Sequence, residues 1–453
     1  MTTAAQAIGA YSAGFDAAGL GEDMLERVGR AVVDTCAVGL AGRRELASEL
    51  AMGYARSAAA GNAVSSAGCW GRTERLPLEL AALYNGVAAH VLDYDDVTSP
   101  LRGHPSVAML PALIALGETL GASGRELASA YVVGFDVICR LARAMGLRHY
   151  ARGWHSTATI GGLGCAVGCA RLLGLDAVRT TNALGLAVAQ AAGSRANFGT
   201  HAKSFQAGHA NALGLRAALL AREGFDAAAD ILEAEFGYVA LYGHGESLAR
   251  EMTGLGQAPL ELEREGIEVK KYPMCYATHR TLDGVLDLRA EWGLDLAQVR
   301  SVHVTTSANA LTPLIHQRPR TGLEGKFSMQ YAVAAALVDG RVGLDSFTDA
   351  AVLRPQVQRF FPAVTTSDAP GELLPRWAEL DITLHDGRRL RRRIDSLRGS
   401  AQQPLSALEL RAKLRDCVTF GGAAIDAAAF FDRAMHLGTT SVRELAASLC
   451  PSN

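Results

Sequence analysis

The 453 residues carry a formal net charge of −2, are 49% hydrophobic but only 6% aromatic, and include 48 glycines. Such a length supplies two or three domains with ample core. The near-neutral charge excludes the basic footprint of a nucleic-acid binder, and no run approaches the roughly 18 consecutive apolar residues of a membrane span.

The first residues, MTTAAQAIGAYSAGFDAAG, lack a basic start followed by an apolar run, so no signal peptide is expected. The eight cysteines are scattered and form no CxxC, which reads as reduced core filler in a cytoplasmic protein. Apolar content dominated by Ala, Leu and Val, with abundant Gly, favours closely packed helices.

From about residue 22 to 252 the pattern is helical. Met24, Leu25, Val28, Ala31, Val32 and Cys36 share one helix face, and residues 105–120, 126–145 and 210–221 read the same way, with breaks at Gly121–Gly124 and Gly146. Near residue 262 the character changes. Residues 267–272 and Val299–Thr306 have strand character, a helix is expected over 278–292 and another over 326–338, and residues 377–394 read as a hairpin turning at Asp386-Gly387. From Ser406 the helical pattern returns. The fold expected is therefore mostly α with a smaller α+β domain: helical residues 1–264, α+β residues 265–400, and a helical return over 401–453 that packs on the first part.

The densest polar segment is residues 90–106, HVLDYDDVTSPLRGHPS. Asp93, Asp95, Asp96, Arg102 and His104 can all transfer protons or handle anions, and such groups are costly near a core unless they pair or do chemistry. Asp95 or Asp96 equally reads as a helix terminator, and His104-Pro105-Ser106 as the cap of the next helix. His155 precedes a small-residue helix, where it either meets an anion or packs as a bystander beside the capping Ser156 or Thr157. Gly162-Leu163-Gly164 with Gly168 mimics a dinucleotide fingerprint, but no strand precedes it and the spacing is GxGxxxG, so it reads as close helix packing. Lys203 opens another helix as a point charge able to hold a carboxylate, or as a solvated lysine. His279 lies on a strand-to-helix loop, where it reaches a cleft or serves as a cap. Arg388, Arg389, Arg391, Arg392 and Arg393 read as a solvated edge strand. The carboxylates of residues 93–96 with His104 would also suit Mg²⁺ or Mn²⁺, yet no zinc or iron–sulfur spacing occurs.

In order, LDYDD and GHPS (92–106), RGWHSTATIGGLG (152–164), GTHAKSFQAGHAN (199–211), KKYPMCYATH (270–279), KFSMQYAVAAALVDGRV (326–342) and RGSAQQPLS (398–406) resemble the MmgE/PrpD family over most of the chain. That family includes 2-methylcitrate dehydratase, cis-aconitate decarboxylase and iminodisuccinate epimerase. The resemblance implies a large all-helical domain with a lid-like α/β domain, a cytoplasmic homodimer, and a cofactor-free, metal-independent enzyme. By motif, the catalytic set it implies is Asp93, His104, His155, Lys203 and His279, with Tyr331 and Tyr150 lining the same pocket; Arg102, on a loop that is this chain's own, and Gln206, which departs from the family pattern, are expected as further substrate contacts. His104 would be acid/base at the reacting carbon, Asp93 would orient a histidine, and His155, Lys203 and His279 would bind carboxylates or assist a leaving group. Proton abstraction beside a carboxylate needs a base near neutral pKa and cations that stabilise enolate-like charge, and this set supplies both. Members often carry histidine where this chain has Gln206, and arginine or another polar residue where it has His209, so these positions are expected to set the substrate. The activity implied first is a dehydratase acting on a small di- or tricarboxylic acid. An iminodisuccinate-type epimerase and a cis-aconitate-type decarboxylase are the enzymatic rivals, and a catalytically silent carboxylate-binding protein is the rival outside enzymes.

Overall fold

The computed structural model describes residues 2–59, 66–243 and 248–451. The chain forms two compact units, one of Met1–Glu268 together with Ala407–Asn453, the other of Val269–Ser406. The first is helical. Its Glu22–Gly42 helix buries the predicted stripe of Met24, Leu25, Val28, Ala31, Val32 and Cys36, and the returning Ala407–Gly421 helix packs on it. The Gly124–Ala151 helix begins at a capping box of Ser123 and Glu126 and is broken at Gly146, whose φ is 66°.

Small residues set how closely these helices approach. A Cβ on Gly134 would lie 2.8 Å from the Gly164 carbonyl oxygen, so the GxGxxxG run serves helix packing. A Cβ on Gly86 would fall 2.7 Å from the Gly208 Cα, and one on Gly208 would fall 2.5 Å from the Leu83 carbonyl oxygen. The Leu78–His90 and His201–Arg222 helices therefore touch backbone to backbone. Their contact brings the last residue of the first beside the first turn of the second, where the polar cluster forms.

The second unit holds a four-stranded sheet in the order Val364–Asp368, Val299–Thr306, Ala378–Leu384, Arg389–Ile394. The first pair is parallel and the others antiparallel. Alternation places Val302, Val304, Leu380, Ile382, Leu390 and Ile394 in one core with the His279–Trp292 and Met329–Asp339 helices. The opposite register carries Arg389 and Arg391, which pair with Asp381 at 2.5 and 3.0 Å. The hairpin turns at Gly387, φ 87°, as the Asp-Gly pair predicts.

Three expectations need correction. Residues 267–272 form no strand: Glu268 bridges Val97 and the Val269 N–H reaches the Gly399 carbonyl, so two different segments each engage a single residue and no ladder propagates. The helix expected from residue 105 begins at Leu110, after the turns that carry His104 and Ser106. The parallel edge strand Val364–Asp368 was not expected, because its sequence, VTTSD, is short and polar. All eight cysteines are free, and among the described residues no helix is long and apolar enough to cross a membrane.

Candidate active site

Five side chains of the helical unit close into a ring. Lys203 Nζ lies 2.6 Å from Asp93 Oδ1 and 3.0 Å from His90 Nε2. His90 Nδ1 lies 2.9 Å from Asp95 Oδ2, and the same oxygen stands 3.0 Å from His104 Nδ1. His104 Nε2 completes the circuit 3.5 Å from Asp93 Oδ1. The His104–Asp95 approach is an ion-pair contact without the alignment of a hydrogen bond.

Local structure explains each placement. His90 ends its helix and Lys203 lies in the first turn of the next, so the glycine-mediated crossing presents one to the other. The chain then turns through Asp93 at φ 54°, the left-handed region that Asp tolerates better than most side chains. The His104 N–H donates to Thr157 Oγ1 at 3.1 Å, which ties the loop to the segment carrying His155.

Tautomers follow from the partners. A carboxylate only accepts, so His90 donates from Nδ1 to Asp95 and presents its Nε2 lone pair to the Lys203 ammonium. Burial pushes the His90 imidazole down to about 4, against the pull of Asp95 and with the Lys203 charge beside it. Burial opposes ionisation of Asp95, but the imidazoles of His104 and His90 override it and hold that carboxyl well below the usual range. His155 donates from Nδ1 to Gln206 Oε1 at 2.6 Å, while Gln206 Nε2 donates to the Ser194 carbonyl at 3.0 Å, which fixes the amide. Burial, then the Lys203 charge, hold His155 well below its ordinary value. Its ring meets the edge of Phe198 at 5.0 Å and stacks on His90 at 6.0 Å.

Behind the ring lies a buried polar layer. Asp96 accepts from the Ser106 hydroxyl, which also contacts the Tyr131 hydroxyl at 2.6 Å. Burial and the nearby Asp34 carboxylate raise Asp96 well above the carboxylate range. Lys413, on the returning helix, stands 2.6 Å from Asp34 Oδ1 and donates to the Tyr94 carbonyl at 2.9 Å. Asp95 and Asp96 are thus buried site groups and cap no helix.

The helical unit assembles Asp93, His104, His155 and Lys203, four of the residues singled out in the sequence. Gln206 serves His155 and Ser194 through both ends of its amide. Tyr150 carries the Arg195 guanidinium 3.7 Å above its ring, and Arg102 sits at φ 51° on the same loop as His104. His279 and Tyr331 belong to the second unit. There His279 donates from Nε2 to the Met274 carbonyl at 3.2 Å between Tyr272 and Tyr276. Tyr331 is in that unit's core and donates its hydroxyl to the Ser346 carbonyl. His90 and Asp95 are absent from the catalytic set read by motif. Both lie inside the polar segment that drew attention, and only the tertiary ring reveals their part.

His90, Asp95 and His104 also offer three ligand atoms within 4.8 Å of one another. Both imidazoles, however, turn Nδ1 toward Asp95, and the Lys203 ammonium already stands against His90 and Asp93. A divalent cation there would face that ammonium across a few ångströms of low-dielectric protein. The donor set fits a proton-transfer and anion site better than a metal centre.

The buried neutral histidines make stability depend on pH. Between about 6.5, the ordinary histidine value, and the folded value of about 4 for His90, the unfolded chain binds a proton that the native state refuses, so stability falls as pH falls through that window. His155 acts in the same direction. At about 1.4 kcal/mol per pH unit, His90 alone contributes a loss on the order of 3 kcal/mol. Thermal melting at pH 7 and pH 4.5 should show the lower midpoint at pH 4.5; equal midpoints would refute the neutral assignment.

Comparison with known proteins supplies independent information. The model of the MmgE/PrpD N-terminal domain matches residues 6–251, and that of the MmgE/PrpD C-terminal domain matches residues 272–432. The second match runs past Ser406 into the helix that returns to the first unit. The cis-aconitate decarboxylase of Mus musculus is 30% identical over 421 residues, covering 87% of this chain and 83% of that protein. The Homo sapiens enzyme of the same name is 29% identical over 409 residues, 87% of this chain and 84% of that one. The Aspergillus terreus cis-aconitate decarboxylase is 27% identical over 422 residues, covering 85% and 82%.

Proposed function

This chain belongs to the MmgE/PrpD family, and from that premise we propose that it is a lyase acting on a small di- or tricarboxylic acid, releasing a carboxylate as CO₂ from an unsaturated acid of the cis-aconitate kind. The observation that carries this reading is the ammonium of Lys203 held beside His104 by Asp93, a cation and an acid/base group in one ring. Breaking the carbon–carbon bond to a leaving carboxylate puts an electron pair on the remaining skeleton, conjugated with a neighbouring carboxylate. Lys203 stabilises that developing charge. His104, protonated, delivers a proton to the carbon. The products are CO₂ and an acid with one carboxylate fewer, and one proton is consumed. His155, with its Nδ1 committed to Gln206, offers Nε2 to the same substrate. The same acid/base group and cation would serve a dehydratase too, and the relatives named cis-aconitate decarboxylase support putting decarboxylation ahead of the dehydratase expected from sequence.

The test is proton NMR in D₂O of EDTA-treated enzyme with cis-aconitate, citrate, methylcitrate, malate and iminodisuccinate. Consumption of an unsaturated tricarboxylate with CO₂ release and one deuterium in the product is expected. Loss of water without CO₂ would replace the decarboxylase with a hydro-lyase, and α-proton exchange without net reaction would replace it with an epimerase. Turnover that appears only when Mg²⁺ is added would overturn the metal-independent reading. Thermal stabilisation by an acid without turnover, unchanged in His104→Ala, would leave a binding protein.

A further inference from the structure

The proposed chemistry uses Asp93, His104, His155 and Lys203 and leaves His90 unexplained, although its side chain is fully buried and sits at the centre of the ring. We infer that His90 is a positioning residue which, as a neutral imidazole donating to Asp95 and accepting from Lys203, fixes the direction of the Lys203 ammonium and shares the charge of Asp95 with His104. This rests on the lyase reading for its kinetic consequence and on geometry alone for its structural one.

The geometry allows few alternatives. Lys203 has three N–H bonds, and two are engaged by Asp93 and His90 at 2.6 and 3.0 Å, so the third has a defined direction. A lysine on a four-carbon stem would otherwise sample many rotamers, at an entropic cost on substrate binding. On the other side of His90, a single carboxylate, Asp95, contacts two imidazole Nδ1 atoms at 2.9 and 3.0 Å. Its negative charge is divided between them, and whatever one histidine takes the other loses. The protein keeps His90 in the form this requires, since burial holds that ring neutral down to about 4.

Asp93 and Asp95 come from the loop, Lys203 from the facing helix, His104 from the end of the loop and His155 from the next turn. Asp96 and the Asp34–Lys413 pair lie in the layer behind. None of these would replace His90 as a group that both donates and accepts along the ring.

His90→Phe keeps an aromatic ring, somewhat larger than imidazole, but removes donor and acceptor. Near pH 7 it should lower kcat by about 10²-fold, the order that a misplaced reacting group costs. It should also displace the alkaline limb of the kcat/KM profile to higher pH, because the whole charge of Asp95 then favours the protonated His104 that acts as the acid. His90→Gln, whose amide both donates and accepts, should recover at least about a tenth of the wild-type rate and return the limb toward its wild-type position. A hole or a loosened core would not move that limb. A folded His90→Phe with kcat within about twofold of wild type and an unmoved limb would overturn the inference. A substrate-independent readout covers failure of the lyase reading or of the variants to fold. Nitrogen NMR of histidine-labelled wild type should show, besides His155 with its Nδ1 on Gln206, an imidazole protonated at Nδ1 and bare at Nε2 throughout pH 5–8, with that resonance absent from His90→Gln. An Nε2–H tautomer for His90, or a His90 that titrates within that range, would overturn the inference even if the enzyme proves to be a lyase.

Discussion

Replacing His104 with alanine is expected to lower kcat by about 10²–10⁴-fold, the usual contribution of a positioned general acid or base. His104 lies between two carboxylates, with Nδ1 3.0 Å from Asp95 and Nε2 3.5 Å from Asp93. An acid/base group that works at its substrate should be lost from kcat more than from KM. His104→Gln should be as inactive as alanine, because an amide donates and accepts hydrogen bonds but does not ionise and so cannot transfer a proton. Both variants should retain the wild-type melting temperature to within a few degrees, since the side chain's contacts are with the Asp93 and Asp95 carboxylates and the His90 ring. Activity within about tenfold of wild type in either variant would remove His104 from the reaction and shift attention to His155.

The second large effect is on stability. Lys413→Met should destabilise the helical unit by about 3–5 kcal/mol, because it strands the Asp34 carboxylate at full burial. Adding Asp34→Asn should recover most of that loss, since a buried ion pair costs far less to replace than to halve. Burial, opposed by Lys413, already raises Asp34 above the carboxylate range. Lys413 also donates to the Tyr94 carbonyl, so the single variant should lose activity through the loop before it unfolds. Urea denaturation of the two single variants and the double, followed together with kcat/KM, would show this. A loss below about 1 kcal/mol in Lys413→Met would mean that water reaches Asp34 and the pair is unimportant.

The sequence was most legible where one period or one motif decided the matter. The stripe from Met24 to Cys36, the Asp386-Gly387 turn and the small-residue run around Gly164 all appear in the structure as read, because each depends on neighbours close in sequence or on a helix face. Residues 267–272 were less legible. Their alternation suggested a strand, but a strand needs a continuous partner, and here residue 97 pairs with Glu268 alone while residue 399 takes the next N–H, that of Val269. In the site, the segment 90–106 announced itself by charge, and Asp93 and His104 emerged from it. Asp95 read equally as a helix terminator, and His90, at the start of the segment, drew no separate reading. Their roles depend on Lys203, 113 positions from His90, a separation that no local pattern reports. Gln206 was read as a substrate contact because it departs from the family pattern, and the bonds of its amide to His155 and the Ser194 carbonyl could not be read from sequence.

The excursion of the chain into a second unit between Val269 and Ser406 also imposes an order of events during synthesis. Asp34 leaves the ribosome early, whereas its partner Lys413 emerges only after a further 379 residues (413 minus 34). At about 5–20 residues per second, that is roughly 20–75 seconds. Throughout that interval the nascent helical unit lacks both the cation that neutralises Asp34 and the amine that holds Tyr94. The inserted unit, contiguous in sequence, can complete its own core sooner. Completion of the Asp93–His104 loop is therefore a late step, finished only after the inserted unit has been made.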